Sequence, residues 1–384
     1  MKFFLRSVPL VVAALTLGLG AGLVFGQSVS GSGMRSERQR RHRVEFAYAA
    51  NQGANSLSGY RIGPSGKLVP LSGSPFATGA APSSVAEHPS GKFLYVANVL
   101  SSNISGFRIG RNGALTAVPG SPFSAGSGTV AVTIDPMGRF LYAANCGANC
   151  SGSGDGNISA YTIDNKNGAL TSVTGSPFAA GQFPYLVAID PSGQFAYAAN
   201  AGSGNVSAYR VSGHTGALTP IAGSPFPAGT RPLAVVVDPW DEFVYVANTG
   251  SSDISAYTLS ANGSLTPVPG SPFAARSFTT AITVDPSAQY VYVPAQGGVL
   301  AYTISNSGGL KLIPGSPFSA GTGPGSVTVD PSGRFVYVTN GGSNNVSAFE
   351  LDYYTGVLAT VPGSPFAAGS FTASVATTAG PRPR

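Results

Sequence analysis

Residues 229–273 read GTRPLAVVVDPWDEFVYVANTGSSDISAYTLSANGSLTPVPGSPF and contain four short apolar or alternating runs separated by turn sequences. The runs cover residues 233–237, 243–247, 254–259 and 264–268. β-Branched and aromatic residues in runs of about five, bounded by Gly, Pro, Asn and Asp, are the signal for strands. No window beyond the N-terminus keeps a 3.6-residue apolar period, so this stretch predicts an all-β unit.

Two short segments of this unit recur seven times along the chain. Gly-Ser-Pro-Phe begins at Gly73, Gly120, Gly175, Gly223, Gly270, Gly315 and Gly363. A second segment, Tyr-Val-Ala-Asn or a variant of it, begins at Tyr48, Tyr95, Tyr142, Tyr197, Tyr245, Tyr292 and Tyr337. A period of 45–55 residues is typical of propeller blades, and seven four-stranded units predict a closed seven-bladed β-propeller.

The two ends of the chain are out of register with the repeat. The first copy, at residues 44–48, is already a second strand, whereas residues 367–377 match the first strand that this copy lacks. We therefore expect the C-terminal strand to complete the N-terminal blade, which leaves no long open edge. The propeller is predicted to span residues 44–378, with a tail at 379–384.

The N-terminal 43 residues are predicted to lie outside the propeller. Residues 1–26 carry Lys2 and Arg6 before an apolar stretch and have the pattern of a secretory signal, with an uncleaved membrane anchor as the alternative. Residues 27–43 form a basic linker, in which residues 35–43 are available to contact an anionic cell envelope. We expect an exported protein, located in the periplasm, at the cell surface or outside the cell.

The basic charge of the chain belongs to its ends. Of the formal +6, the signal contributes +2, residues 34–43 contribute +4 and the last three residues contribute +2, so the propeller itself carries −2. This distribution argues against a nucleic-acid partner.

Cys146 and Cys150 are the only cysteines, and they flank an insertion in the third copy. In an oxidising compartment a local disulfide is expected. Two thiolates without a nearby His make a poor zinc site, so no metal and no cofactor is predicted.

The segment Asp330-Pro-Ser-Gly-Arg-Phe-Val-Tyr-Val-Thr-Asn340, followed by Asn345-Val-Ser-Ala-Phe349, resembles the YVTN-repeat propellers of the seven-bladed lactonase family. The resemblance covers about residues 44–378 and implies the propeller fold. It also implies lactone hydrolysis, because the family includes the propeller-type 6-phosphogluconolactonases and the carboxymuconate lactonizing enzymes. The shared residues build blades, and fold alone does not carry function.

Small-molecule sites in such folds usually lie at the channel mouth, among the loops that join the second and third strands and those that lead to the next blade. The lactonizing enzymes are thought to use a His, but this face offers none, because His88 and His214 fall in turns of the opposite face. No catalytic residue can therefore be assigned.

Five residues of the predicted loops are candidates for ligand binding: Arg231, Arg276, Asp155, Asp253 and Gln182. The two arginines could hold an anion bidentately, while solvated loop arginines are the alternative. Asp253 stands where other copies have Asn, which favours a role in a turn, and the Gly/Ser-rich surroundings of Asp155 favour the same. We expect a binding or surface module for a small anionic ligand, a sugar acid or a lactone; the alternative is a lactone hydrolase.

Overall fold

The computed structural model describes residues 45–147, 150, 155–277 and 279–378. The predicted signal, basic linker and tail lie outside the described residues. Within these ranges no helix is long and apolar enough to span a membrane.

The described residues form antiparallel strands and one 3-10 helix at Gln52–Ala54. The strands of blades 1 to 3 are β1 Glu45–Asn51, β2 Ser56–Ile62, β3 Leu68–Pro70, β4 Phe76–Ala77, β5 Pro82–Glu87, β6 Phe93–Asn98, β7 Asn103–Ile109, β8 Leu115–Ala117, β9 Phe123–Ser124, β10 Thr129–Ile134, β11 Phe140–Asn145, β12 Asp155–Ile163, β13 Leu170–Ser172 and β14 Phe178–Gln182. Those of blades 4 to 7 are β15 Pro184–Ile189, β16 Phe195–Asn200, β17 Asn205–Val211, β18 Leu218–Pro220, β19 Phe226–Pro227, β20 Pro232–Val237, β21 Phe243–Asn248, β22 Asp253–Leu259, β23 Leu265–Pro267, β24 Phe273–Ala274, β25 Thr283–Val284, β26 Tyr290–Ala295, β27 Gly298–Ile304, β28 Leu310–Leu312, β29 Pro324–Val329, β30 Phe335–Asn340, β31 Asn345–Leu351, β32 Leu358–Thr360 and β33 Phe366–Ala367. The last strand, β34 Thr372–Thr378, belongs to blade 1.

Seven sheets of four antiparallel strands make the seven blades, as the repeat predicts. In every blade but the sixth, the Phe of Gly-Ser-Pro-Phe begins a further short strand, which pairs with the third strand beside the fourth. The first strands of neighbouring blades contact one another around the ring, and β34 lies between β29 and β5. The second strands are buried on both faces because each blade packs between two others.

The C-terminal strand closes the ring. β34 pairs with β1 from Phe46↔Thr378 to Asn51↔Thr372, so the first blade is built from both ends of the described chain. This confirms the closure that the register of the repeat predicts.

Each Gly-Ser-Pro-Phe fastens the outer part of its own blade. Its Ser hydroxyl accepts a hydrogen bond from a third-strand amide in all seven blades, for example from Gly59 to Ser74 at 3.0 Å and from Ala348 to Ser364 at 2.9 Å. The Ser–Pro peptide bond in each copy is cis.

Seven tyrosines join each blade to the next. The second-strand Tyr hydroxyl donates to a glycine carbonyl in the last turn of the following blade: Tyr48 to Gly113, Tyr95 to Gly168, Tyr142 to Gly216, Tyr197 to Gly263, Tyr245 to Gly308, Tyr292 to Gly356 and Tyr337 to Gly66, at 2.7–3.1 Å. These glycines have positive φ, and at Gly66 a Cβ would lie 2.4 Å from the ring of Phe335. The tyrosine and glycine repeats are thus two halves of one contact between blades.

Candidate functional site

One face of the ring, here called the loop face, carries the loops between second and third strands and those that lead to the next blade. In six blades the residue just before the first strand has positive φ: Ala81, Gly128, Phe183, Arg231, Gly323 and Phe371. Its carbonyl accepts a hydrogen bond from the amide just after the second strand, as in Ala201 to Phe183 at 2.8 Å and Thr249 to Arg231 at 3.0 Å. The backbone therefore needs this conformation, while the side chain varies.

A buried amide underlies these loops in the same six blades. The second-strand Asn donates from its Nδ2 to two residues of the third strand: Asn51 to Ser56 and Ser58, Asn98 to Asn103 and Ser105, Asn145 to Asn157 and Ser159, Asn200 to Asn205 and Ser207, Asn248 to Asp253 and Ser255, and Asn340 to Asn345 and Ser347. We call this arrangement the Asn triad. It fixes the loop face from below and explains why Asn ends the second strand.

The first strands surround a central cavity of about 890 Å³. Hydroxyl and amide side chains line it, including those of Gln52, Ser83, Ser84, Thr280, Gln296, Ser326 and Ser374. The described lining residues include no His, Asp, Glu, Lys or Arg. Tyr185 is the one phenol among them, and burial raises its pKa, an effect that the charge of Arg231 partly opposes.

A second cavity of about 670 Å³, here called the rim pocket, lies among the loops of blades 4 and 5. Its lining includes Phe183, Arg231 and the disulfide residue Cys150, together with small residues such as Gly202 and Gly229. The Phe183 ring contacts that of Tyr185, with centroids 6.0 Å apart. The rim pocket and the central cavity therefore share this aromatic pair as a wall.

The structure separates the two candidate arginines. Arg231 is exposed and lines the rim pocket, whereas Arg276 is also exposed but lines neither cavity. Arg276 stands where the six other blades have a glycine that packs against the Asn of the triad. At Gly229, for example, a Cβ would lie 2.7 Å from Asn248 Nδ2. Blade 6 has Ala295 in place of that Asn, which makes room for a larger residue at position 276.

The other candidates hold the loops together. The Asp253 carboxylate accepts from Asn248 Nδ2 at 2.7 Å as a member of the Asn triad, and it lines neither cavity. Gln182 is exposed at the end of β14, where its backbone pairs with Asp155. The side chain of Asp155 lies outside the described part of the chain.

Cys146 and Cys150 are joined by a disulfide, with Cα atoms 5.1 Å apart. The carbonyl of Gly128 lies 3.0 Å from Cys146 Sγ, so the disulfide lies beside the loop that precedes β10. In the described ranges no three His, Cys, Asp or Glu side chains come together as metal ligands.

His88 lies on the opposite face, here called the hairpin face, where it replaces the Asp of the Asp-Pro turn. Its Nε2 lies 2.8 Å from the carbonyl of Gly138 in the next blade, and Ser90 N donates to Nδ1. Burial lowers its pKa, so the neutral ring with a proton on Nε2 fits both contacts. His88 therefore links two blades and is far from the loop face.

Sequence reasoning overlooked the channel wall and the Asn triad. Gln52 and Gln296 follow the second strand of their blades, whereas first-strand residues such as Tyr185 and Thr280 differ in every copy and leave no repeat signal. The triad does leave a signal in the sequence: in several copies an Asn-x-Ser segment begins five residues after the Asn that ends the second strand.

The seven-bladed β-propeller lactonase family matches residues 27–130, 113–236 and 265–373. The chain belongs to this family. No curated protein matches the sequence.

Several solved structures share the fold. The periplasmic gluconolactonase of Pseudomonas aeruginosa superposes with a TM-score of 0.74 at 17% identity, over 87% of this chain and 99% of that one. A Bacteroides fragilis protein, provisionally assigned as a 6-phosphogluconolactonase, gives 0.74 at 18% identity over 88% and 99%. A functionally unknown protein from Desulfotomaculum acetoxidans gives 0.67 at 16% identity over 88% and 99%. At these identities the likeness supports the fold alone.

Proposed function

We propose that the protein is an exported β-propeller that binds a small hydroxylated ligand, such as a sugar acid or a lactone, at the mouth of its central channel. The observation that carries this proposal is the composition of the central cavity. Its side chains offer hydroxyl and amide groups, which suit the hydroxyl edges of a sugar-like molecule.

Binding is favoured over catalysis because general acid–base chemistry needs a titratable group within reach of the substrate. The described lining residues of the cavity supply one such group, the phenol of Tyr185, and burial raises its pKa. At neutral pH this phenol is protonated and serves as a hydrogen-bond donor, not as a base.

Lactone hydrolysis is the second candidate. It is favoured by membership of the lactonase family and by the likeness to a periplasmic gluconolactonase. The same cavity would then hold the lactone, and the reaction would need a base that the described lining residues do not provide.

The two candidates are separated by measuring binding and turnover on the same protein. Calorimetric titration with gluconate and glucono-δ-lactone is paired with a pH-stat assay of lactone opening, corrected for the spontaneous reaction. We expect binding of at least one of these compounds and no turnover above the spontaneous rate. Enzymatic opening that is lost in Tyr185→Phe would replace the binding proposal with the hydrolase.

A pair of glutamines tests the place of the site. Gln296→Ala removes an amide from the cavity and should weaken binding about fivefold, the effect of one hydrogen bond of roughly 1 kcal/mol. Gln182→Ala is the matched control, because this exposed glutamine lines neither cavity. An equal loss in both variants would exclude the channel mouth as the binding site.

Export is checked separately by N-terminal sequencing of the protein recovered from the cell envelope or the medium.

A further inference from the structure

We propose that the rim pocket is a second binding site, which takes a planar aromatic acid with its ring on Phe183 and its carboxylate or phosphate on Arg231. This site is distinct from the central cavity and goes beyond the proposed function.

Three of the six equivalent positions carry a large side chain where the backbone favours glycine, and two of these, Phe183 and Arg231, line the rim pocket. Phe183 and Arg231 have φ values of 53° and 52°, in the left-handed region that is unfavourable for residues with a Cβ. The equivalent positions of blades 3 and 7 are Gly128 and Gly323, both at 64°. In each blade the hydrogen bond that forms the loop uses the backbone carbonyl of this residue, so the side chains of Phe183 and Arg231 are not needed to form it.

Both side chains line the same cavity. The other lining residues are small, among them Ala201, Ser203 and Gly204, so no other large side chain fills the space between them. The pocket has a volume of about 670 Å³, enough for one or two rings.

Among the described side chains, none of opposite charge forms an ion pair with Arg231. In the described part of the chain the one ion pair joins Arg139 to Asp135 on the hairpin face. An exposed guanidinium offers a planar fork that binds a carboxylate or phosphate through two parallel hydrogen bonds. An aromatic ring beside it adds a stacking surface, which favours a flat ring over a puckered one of the same size.

The test compares benzoate with cyclohexanecarboxylate, which has the same charge and nearly the same size but no flat ring. Both are titrated by NMR into the full-length protein at one ionic strength. We expect benzoate to bind about three- to tenfold more tightly, the gain from an aromatic pair. Equal affinities would overturn the aromatic part of the proposal, and tighter binding of glucuronate than of benzoate would assign the pocket to sugar acids.

Two variants connect the binding to the two side chains. Phe183→Leu keeps the apolar packing but removes the flat ring, and it should abolish the preference for benzoate. Arg231→Gly should weaken benzoate at least tenfold while raising the melting temperature, because glycine relieves the backbone. A structural role for Arg231 would instead lower the melting temperature, and this outcome would overturn the proposal.

Two control variants distinguish binding in the rim pocket from the relief of backbone strain and from nonspecific attraction to positive charge. Ala81→Gly relieves the same backbone position in blade 2, where no cavity residue is changed, and should raise the melting temperature without affecting benzoate. Arg276→Ala removes an exposed charge that lines neither cavity and should also leave benzoate binding unchanged. A loss in Arg276→Ala equal to that in Arg231→Gly would show general attraction to a basic surface and would overturn the proposal.

Discussion

Blade 1 is assembled from two distant parts of the chain and is regular, whereas blade 6 is one continuous segment and is the irregular one. In blade 1 the first and second strands pair from Phe46↔Thr378 to Asn51↔Thr372. In blade 6 they pair only at Thr283↔Tyr292 and Val284↔Val291. Chain continuity therefore does not decide how well a blade forms; a few side chains do.

The second strand of blade 6 lacks the groups that order the others. Pro294 has no N–H to give to the first strand, and it stands where five other blades have Ala and blade 7 has Thr339. Ala295, Gly298 and Leu300 replace the Asn triad, so the loop face of this blade has no buried amide beneath it.

Threonine hydroxyls hold the unpaired part of blade 6 to its neighbours instead. Thr249 donates to the carbonyl of Thr279 at 2.7 Å, and Thr279 donates to that of Asn248 at 3.1 Å. On the other side, Thr280 donates to the carbonyl of Gly325 at 2.7 Å. The segment that lines the channel in blade 6 is thus hydrogen-bonded to the two neighbouring blades, 5 and 7, and not within its own sheet.

The largest expected effect comes from removing the strand that makes blade 1 regular. Deleting residues 367–384 removes β34 and its six pairings with β1, and at roughly 1 kcal/mol for each hydrogen bond the loss exceeds about 5 kcal/mol. The variant should aggregate or melt far below the full-length protein, which differential scanning calorimetry would detect. Melting at the same temperature would refute closure by the C-terminal strand.

The Asn triad supplies the next largest effect. Asn340→Ala removes the buried Nδ2 that donates to both Asn345 Oδ1 and Ser347 Oγ and should cost about 1–3 kcal/mol. Ala295→Asn restores the repeat in blade 6 but should also destabilise, because Gly298 and Leu300 offer no partner for the amide. The two variants are compared by thermal unfolding. A stabilising Ala295→Asn would mean that blade 6 differs from the others by this one residue alone.

The tyrosine contacts should not distinguish blade 6 from a regular blade. Tyr292→Phe and Tyr337→Phe each remove a hydrogen bond to a glycine carbonyl, Gly356 or Gly66, and each should cost about 1–2 kcal/mol. Unfolding of both variants under the same conditions provides the comparison. A much smaller effect in blade 6 would extend its irregularity from the loop face to the hairpin face.

Pro294→Ala gives the second strand of blade 6 the backbone N–H donor that it lacks. The amides of residues 279–282 should then exchange with solvent more slowly, as measured by hydrogen exchange with mass spectrometry. The free energy of unfolding should change by less than about 1 kcal/mol, because removing a proline also increases the entropy of the unfolded chain. Unchanged exchange in this segment would show that Pro294 is not the cause of the short β25.

The smallest effect concerns the hairpin face, where blade 5 has Asp241 at the turn position that Ala288 occupies in blade 6. Burial, with smaller contributions from Asp190 and Asp238, raises the pKa of Asp241 to about 6. The folded protein then binds this proton more tightly than the unfolded chain, so stability falls as pH rises from about 4 to about 6. Asp241→Ala should lack this fall, raising the melting temperature by about 1–3 °C at pH 7 and leaving it unchanged near pH 4. The same difference at both pH values would assign the effect to the backbone, not to the charge.

The fold was largely predictable because the features that build it repeat. Tyr337 and its equivalents identify the second strand, and the offset between Glu45 and Thr378 reveals the closure. The short strand that begins at the Phe of Gly-Ser-Pro-Phe in six blades was not predicted, since two residues such as Phe76 and Ala77 give no periodic signal.

The site was less predictable because it depends on what does not repeat. Ala81, Gly128, Phe183 and Arg231 share a backbone conformation but no side-chain type, so no sequence pattern marks them as equivalent. Arg276 is visible in the sequence as a charged residue where six other blades have glycine. The structural reason is that blade 6 has Ala295 in place of Asn, which makes room for the larger residue. The link between positions 276 and 295 can be recognised only when the two are known to be in contact.

The seven tyrosine contacts form a closed circuit of hydrogen bonds that links every blade to the next. The circuit is closed because Tyr337 of the last blade donates to Gly66 of the first. Two neighbouring blades therefore cannot move apart unless their own contact breaks or the other blades shift with them. The contacts thereby oppose a change in the width of the channel. For a ligand at the proposed site, the limit on size would therefore be set by the whole ring, whereas chemical preference would be set by the few side chains that line the cavity.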